Sequence, residues 1–270
     1  MKPALVTVVC PLDNDVIGDM LVHYFNISIR NFYLVLHNPD EMLMLIVEKF
    51  KLEHDVEISI NYNLTDEHYH DTDVKKLVDL AHNDGCDWII PSDADEILYL
   101  KNHRIIQELL QEYDSFNEIA LRFRWRDFRS DEDVYFNAFK VMKYGCTKYM
   151  DFDNVDLVKS CGKLNKSMSF VPGAHVIQGA TNVINIPEPI AEYRHYPERN
   201  IVQYEKKMML QYKNWKSRYG FFYAEEYIEK DPDHFKKIWP DRKITVDGSR
   251  RVCNSDKTDP KIQHEYVVEG

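Results

Sequence analysis

Three carboxylates lie within four residues at Asp93-Ala94-Asp95-Glu96, directly after the apolar run Trp88-Ile89-Ile90-Pro91 and ahead of a second one, Ile97-Leu98-Tyr99-Leu100. Acids pinned between two core segments repel one another, which costs stability unless a cation or strong hydrogen-bond donors offset it. A hard divalent cation prefers oxygen ligands. Where it bridges phosphates, it needs only one or two protein carboxylates and at times an imidazole. Asp95 is the first ligand candidate. Asp93 is suited to accept hydrogen bonds from ribose hydroxyls, or to reach the metal through water. The competing reading is a solvated turn that caps the next helix.

The Asp-x-Asp pattern alone is weak evidence. It recurs at Asp13/Asp15, Asp71/Asp73, Asp131/Asp133, Asp151/Asp153 and Asp231/Asp233, and about two or three matches are expected by chance in so acidic a chain. Context separates them, because only Asp93/Asp95 follows an uninterrupted buried-strand signature. In open α/β sheets, ligands bind at the carboxyl ends of strands.

The elements that must position this loop follow from periodicity. Ala4 to Val9 is apolar and β-branched, and Pro11-Leu12-Asp13-Asn14-Asp15 supplies turn chemistry, which predicts a buried strand ending in a polar loop. Val16, Met20, Tyr24 and Ile27 recur at helical spacing, and Phe32 to Leu36 is again strand-like. The pattern continues with a helix over 41–51, a strand over 56–60, a helix over 71–83 and a strand over 86–90 that stops at Pro91. Past this point the alternation loosens. A helix is expected over 104–113, a strand over 119–125, short strands through 190, and a long helix over 200–218. The fold class is therefore α/β, a three-layer α/β/α sandwich around a mixed, mostly parallel sheet. The expected organisation is a catalytic domain over 1–198 with a helical extension and tail over 199–270 packed on it.

Composition narrows the function. Hydrophobic residues make up 44% and aromatic residues 13% of 270 residues, ample for a packed core. A formal charge of -11 argues against nucleic-acid partners, whose affinity comes from neutralised phosphates. An acidic chain that binds a nucleotide diphosphate needs a cation between them. The five cysteines form no CxxC pair, so reduced thiols are expected. Met1-Lys2-Pro3 leads into a run too short for a signal peptide, and none approaches transmembrane length. The expectation is a cytoplasmic protein with no integral membrane segment.

The segment Trp88-Ile-Ile-Pro-Ser-Asp-Ala-Asp-Glu-Ile-Leu resembles the D-W-hydrophobic-x-x-D-x-D-E-F element of family-two-like glycosyltransferases of the GT-A fold, which is Rossmann-like. Val6 to Asp15 is similar to that family's first strand and N-E loop, and His37-Asn38-Pro39-Asp40 to the loop after its second strand. Gly173-Ala174-His175 resembles the later G-N-H element. Tyr193 to Arg199, with Lys206-Lys207, resembles an H-Y-x-x-R stretch followed by lysine. The match runs in order over residues 4 to 210. It departs at Asp15, Ile97 and Ala174, where the family has Glu, Phe and Asn.

The resemblance implies a nucleotide-sugar donor, a UDP-sugar by family habit, and a glycan, glycolipid or glycoprotein acceptor. Asp13 or Asn14 would help hold the base, with Asn38 in the neighbouring donor loop, and Asp93 would meet the ribose. Asp95 and His175 would bind manganese or magnesium. Arg194, His195 and Arg199 would meet the departing diphosphate. It also implies inversion, for which a carboxylate must take the acceptor proton. Asp127 is the choice, in Arg124-Trp125-Arg126-Asp127-Phe128 beyond the 119–125 strand, and Asp131, Glu132 and Asp133 are close competitors. Trp125, Trp215 and the tyrosine-rich stretch from Tyr219 to Tyr227 offer either sugar stacking or core packing.

Two other classes compete. A sugar nucleotidyltransferase shares the architecture but usually carries a glycine-rich, basic phosphate loop where this chain has acidic Pro11 to Asp15. A non-catalytic carbohydrate-binding protein would show no donor turnover. A phosphatase of the Asp-x-Asp-x-Thr type is excluded by Glu96-Ile97.

Overall fold

Apolar β-branched runs of strand length become buried strands only when both their faces are covered, and the amino-terminal half is built on that rule. The computed structural model describes residues 1–65, 70–102, 105–146, 158–163, 168–171, 175–219, 233–247, 250–253 and 264–268. The Asp151/Asp153 pair, Gly173-Ala174, Asp231 and most of the Tyr219 to Tyr227 stretch lie outside the described residues, as do the side chains of Asp71 and Trp215. The chain falls into two compact units, residues 1–126 with 149–195, and residues 127–148 with 196–270.

In the first unit, strands β1 (Pro3–Val9), β2 (Asn31–His37) and β3 (Glu57–Asn63) alternate with helices α1 (Ile17–Asn26), α2 (Glu41–Glu53) and α3 (His70–Asn83). Strand β4 (Trp88–Pro91) follows. These four strands are all parallel, in the order β4-β1-β2-β3. Every residue of β1, β2 and β4 is buried. Side chains alternate across the sheet. Ala4, Val6, Val8, Tyr33 and Val35 pack with Val74, Leu77, Val78 and Ala81 of α3. On the opposite face Phe32 meets Phe50 of α2, ring centroids 5.3 Å apart. Full burial of such side chains is worth about 1.5–3 kcal/mol each, and this fixes helices on both faces of a mixed sheet.

The looser second half is mostly antiparallel. Strand β5 (Glu96–Leu100) comes directly after the acid loop, so the loop does not cap a helix as the competing reading had it. The helix expected over 104–113 is α4 (Ile106–Gln111). Next comes β6 (Ile119–Arg129), and β8 (Val158–Lys163) runs against both β6 and β4, the latter in the register Trp88↔Lys163 and Ile89↔Gly162. The short strands β9 (Ser169–Phe170) and β10 (Ile177–Gln178) pair with each other, and Phe170 and Ile177 join the apolar cluster around α3. Strand β11 (Asn182–Asn185) adds parallel to β6, and β12 (Ala191–His195) forms a ribbon with β5 that pairs His195 with Glu96. The 119–125 strand is longer than its apolar core suggested. Arg126, Phe128 and Arg129 are buried and Asp127 is not, and pairing of Phe128 and Arg129 with Gly145 and Tyr144 carries the strand on to Arg129. Asp127 therefore lies in a strand rather than in the loop beyond it.

The second unit holds the end of β6, the short helix α5 (Ala138–Val141) and β7 (Tyr144–Cys146), which pairs with β6. An antiparallel run of β15 (His264–Val268), β14 (Arg250–Cys253) and β13 (Thr245–Asp247) lies beside β7. The long helix expected over 200–218 is α6 (Ile201–Tyr219). Its Tyr204 packs on Trp239, with ring centroids 5.2 Å apart.

Candidate active site

Because β1, β2 and β4 are parallel, the loops after them share one edge of the sheet, the edge where sequence reasoning gathers its donor residues. After β1, Asp13 closes a single 3-10 turn by accepting the Cys10 N–H at 3.1 Å. Asn14 donates from Nδ2 to both oxygens of Asp40, at 3.1 and 3.0 Å. Asp40 in turn caps α2 by accepting the Leu43 N–H at 2.8 Å. After β2, Asn38 adopts a left-handed conformation, φ 43°, which Asn tolerates better than most residues. Its Nδ2 donates to the Thr65 carbonyl at 2.8 Å.

The acid loop itself is a tight turn. The Glu96 N–H donates to the Asp93 carbonyl at 3.0 Å. Ser92 braces it from below, accepting from Tyr24 Oη at 2.9 Å and donating to the Glu96 carbonyl at 2.9 Å. Tyr24 Oη accepts the Leu98 N–H at 3.0 Å, and Tyr193 Oη donates to the Pro91 carbonyl at 3.0 Å. The Pro91 carbonyl at the end of β4 is thereby satisfied.

Mutual repulsion among the three acids is offset in part by a residue that sequence reasoning missed. Lys159 of β8 is 1% exposed, and its Nζ lies 2.9 Å from Asp93 Oδ2 and 2.8 Å from Glu96 Oε2. Burial pushes the Glu96 carboxyl up to about 7, with the ammonium opposing and Asp93 reinforcing the shift. Burial alone would lower the Lys159 ammonium, yet the Asp93 and Glu96 charges outweigh it and raise the group. The one available signal was a lysine inside the strand-like run Val158-Lys159-Ser160-Cys161.

Asp95 faces elsewhere. Its Oδ2 lies 3.8 Å from His195 Nε2, and both side chains are largely buried. His195 stacks on Trp125 with centroids 4.4 Å apart and planes at 29°. The other side of this aromatic cluster is His175, whose ring meets Trp125 edge-on at 6.0 Å. His175 Nδ1 lies 2.7 Å from the Val158 carbonyl, which can only accept, so Nδ1 carries the proton and in the neutral ring Nε2 carries the lone pair a metal ligand offers. Asp93, Asp95, His175 and His195 all lie in the first unit: Asp95 meets His195, Trp125 touches both imidazoles, and Asp93 is held by Lys159.

The other candidates sit differently. Arg194 is 8% exposed, donates from Nε to Glu192 at 2.9 Å and lies 3.5 Å above the Tyr99 ring. Arg199, in the second unit, is 1% exposed and donates from Nη1 to the Tyr196 carbonyl at 3.0 Å. Asp127 is also in the second unit, with Arg129 Nη2 at 3.2 Å and its side chain 23% exposed. Of its competitors, Asp131 accepts from Tyr144 Oη at 3.2 Å. Asp133 accepts from Trp239 Nε1 at 2.8 Å and pairs with Lys243 at 3.1 Å.

The donor set suits a hard or borderline divalent ion, since Asp95 offers oxygen and His175 an oriented imidazole. Among the described residues no cluster of three or more His, Cys, Asp or Glu is arranged to hold a metal. A metal here would take its remaining ligands from phosphate and water, which is usual where it bridges a nucleotide. Among the described residues no helix is long and apolar enough to cross a membrane.

Comparison with known proteins gives two kinds of result. Among solved structures, similarity extends to one from Bacillus anthracis described as a glucose-1-phosphate thymidylyltransferase in complex with sucrose. That match has 13% identity and a TM-score of 0.32, over 48% of this chain and 56% of that one. A mannose-1-phosphate geranyltransferase from Thermus thermophilus matches with 11% identity and a TM-score of 0.32, over 47% and 42%. The chain thus spans about half the length of the solved chains it matches, and at these TM-scores neither likeness bears on fold or activity. Among curated proteins none is significantly similar in sequence. The family comparison is decisive, because one model matches residues 19–244, a stretch that contains the acid loop, Lys159 and both imidazoles: the chain belongs to glycosyltransferase family 92.

Proposed function

We propose that this chain transfers a sugar from a nucleotide-diphosphate donor, a UDP-sugar, to a hydroxyl of a glycan, glycolipid or glycoprotein, with inversion and in the cytoplasm. On this reading the catalytic domain is residues 1–198, of the GT-A type, followed by the 199–270 extension. The observation that carries it is the acid loop at the carboxyl end of β4, with Asp95 turned toward His195 and His175 held by Val158 in the ligand tautomer.

Asp95 and His175 would hold manganese or magnesium, which as a Lewis acid neutralises charge on the departing diphosphate. Asp93, with a third of its side chain exposed, accepts from the ribose, while Asp13, Asn14 and Asn38 line the base side of the same edge. His195, its ring plane set by Trp125, donates toward the leaving phosphate oxygens, and Arg194 and Arg199 meet the departing diphosphate with it. Asp127 takes the acceptor proton. Arg129 keeps that carboxylate oriented, and Asp133 is the weaker competitor because two donors already engage it.

The test is donor turnover. The full chain with manganese is incubated with a panel of nucleotide sugars, and released nucleoside diphosphate is measured. Release that disappears in Asp95→Ala supports the proposal. No release from any donor, with binding of sugars or nucleotides intact, would instead identify a non-catalytic binding protein. Formation of nucleotide sugar from sugar phosphate and nucleoside triphosphate would identify a nucleotidyltransferase.

A further inference from the structure

Strand β8 reaches both halves of the proposed donor site. Its antiparallel register with β4, Trp88↔Lys163 and Ile89↔Gly162, brings Lys159 level with Ser92 when carried forward, beside the acid loop. Three consecutive residues then act at once. The Val158 carbonyl accepts from the His175 ring at 2.7 Å, and Ser160 Oγ donates to the His175 carbonyl at 2.7 Å. Lys159, pointing to the other face as strand alternation requires, spans Asp93 and Glu96.

The two carboxylates that Lys159 holds differ in what they can still do. Glu96 has a 2% exposed side chain, so its bond to the ammonium is internal to the core. Asp93 has a 36% exposed side chain and is engaged by Lys159 through Oδ2. An ammonium fixed from below stops the carboxylate from rotating and directs it toward the open side. We infer that Lys159 is a positioning residue for ribose recognition: by holding Asp93 through Oδ2 it presents that carboxylate to a ribose hydroxyl, and so sets the enzyme's preference for ribonucleotides over deoxyribonucleotides. The inference rests on the assignment of Asp93 to the ribose.

The effect is readable as a ratio. A hydrogen bond to a charged group, once lost, costs about 10- to 100-fold in affinity. The full chain with manganese is therefore titrated calorimetrically with UDP and GDP and with their 2′-deoxy and 3′-deoxy counterparts. Wild type is expected to bind the ribonucleotide about tenfold or more tighter than one of the deoxy forms.

Lys159→Met by itself leaves Glu96 buried and unpaired, so the variant to compare is Lys159→Met with Glu96→Leu, which removes both core charges together. In that double variant the ratio is expected to fall below about threefold, because the ribonucleotide weakens while the deoxy ligand binds as it does to wild type. Glu96→Gln, which keeps the Lys159–Asp93 contact, is expected to retain the ratio. A folded double variant with undiminished discrimination overturns the role of Lys159 and leaves the Asp93 assignment standing. Loss of the ratio in Glu96→Gln as well assigns it to the loop at large and overturns the inference. Equal affinity of wild type for ribo and deoxy ligands, or no binding of either nucleotide, overturns the ribose assignment and the inference with it.

Discussion

Glu198 is buried between two arginines in the second unit, and replacing it with Gln tests how that unit is held together. Its side chain is 2% exposed, and Arg129 Nη1 bonds to one carboxylate oxygen. Arg242 Nη2 lies 3.4 Å from the other. Both guanidiniums are buried, at 3% and 7%. Gln keeps the shape but removes the charge and turns an amide donor toward a donor. Removing one partner from a buried pair costs about 3–5 kcal/mol. Two features hold the value to the lower end. Arg129 keeps Asp127 at 3.2 Å, and Arg242 keeps Tyr204 Oη at 3.3 Å. About 3 kcal/mol corresponds to a Tm lower by about 6–12 °C for a chain of this size. Urea unfolding of wild type and Glu198→Gln, each at low and high sodium chloride, measures it. The loss should be nearly independent of salt, since buried pairs are poorly screened. A loss below about 1 kcal/mol, or one that high salt abolishes, would mean the pair behaves as a surface contact and the reasoning fails. Replacing the whole triad with Leu and Met should recover most of the stability.

Lys159→Met alone should destabilise by about 3–5 kcal/mol, measured by urea unfolding in chelator. The deficit should grow as pH rises, because Glu96, already pushed up to about 7, is raised further without the ammonium and favours folding only while protonated; a deficit that is flat with pH would refute this. Burial holds the His23 imidazole below its ordinary value, with the Leu98 carbonyl opposing and Arg194 adding to the effect. A depressed histidine stabilises above its unfolded value of 6.5 and loses that stabilisation as pH falls. His23→Gln should therefore flatten the stability slope on the acid side of neutrality, and an unchanged slope would count against it. Asp127→Asn should lower turnover by about 10²–10⁴-fold with little change in donor affinity; unchanged turnover removes Asp127 from the mechanism.

Local pattern alone determined the parallel block. Runs such as Ala4 to Val9 and Phe32 to Leu36 are apolar throughout because helices cover both faces, and the helices between them repeat at 3.6 residues. The acid loop was equally legible, since a buried run that stops at Pro91 leaves the next residues at a strand's carboxyl end. The tertiary structure decided the rest. No spacing in the sequence marks Lys159 as the partner of Asp93, 66 residues away. The encounters of His195 with Asp95, and of Trp125 with His175 and His195, likewise exist only once β12, β6 and β8 are laid beside the first strands. Charge pairing and ring stacking act between neighbours in space, and antiparallel strands from distant parts of a chain become neighbours only through the sheet that pairs them.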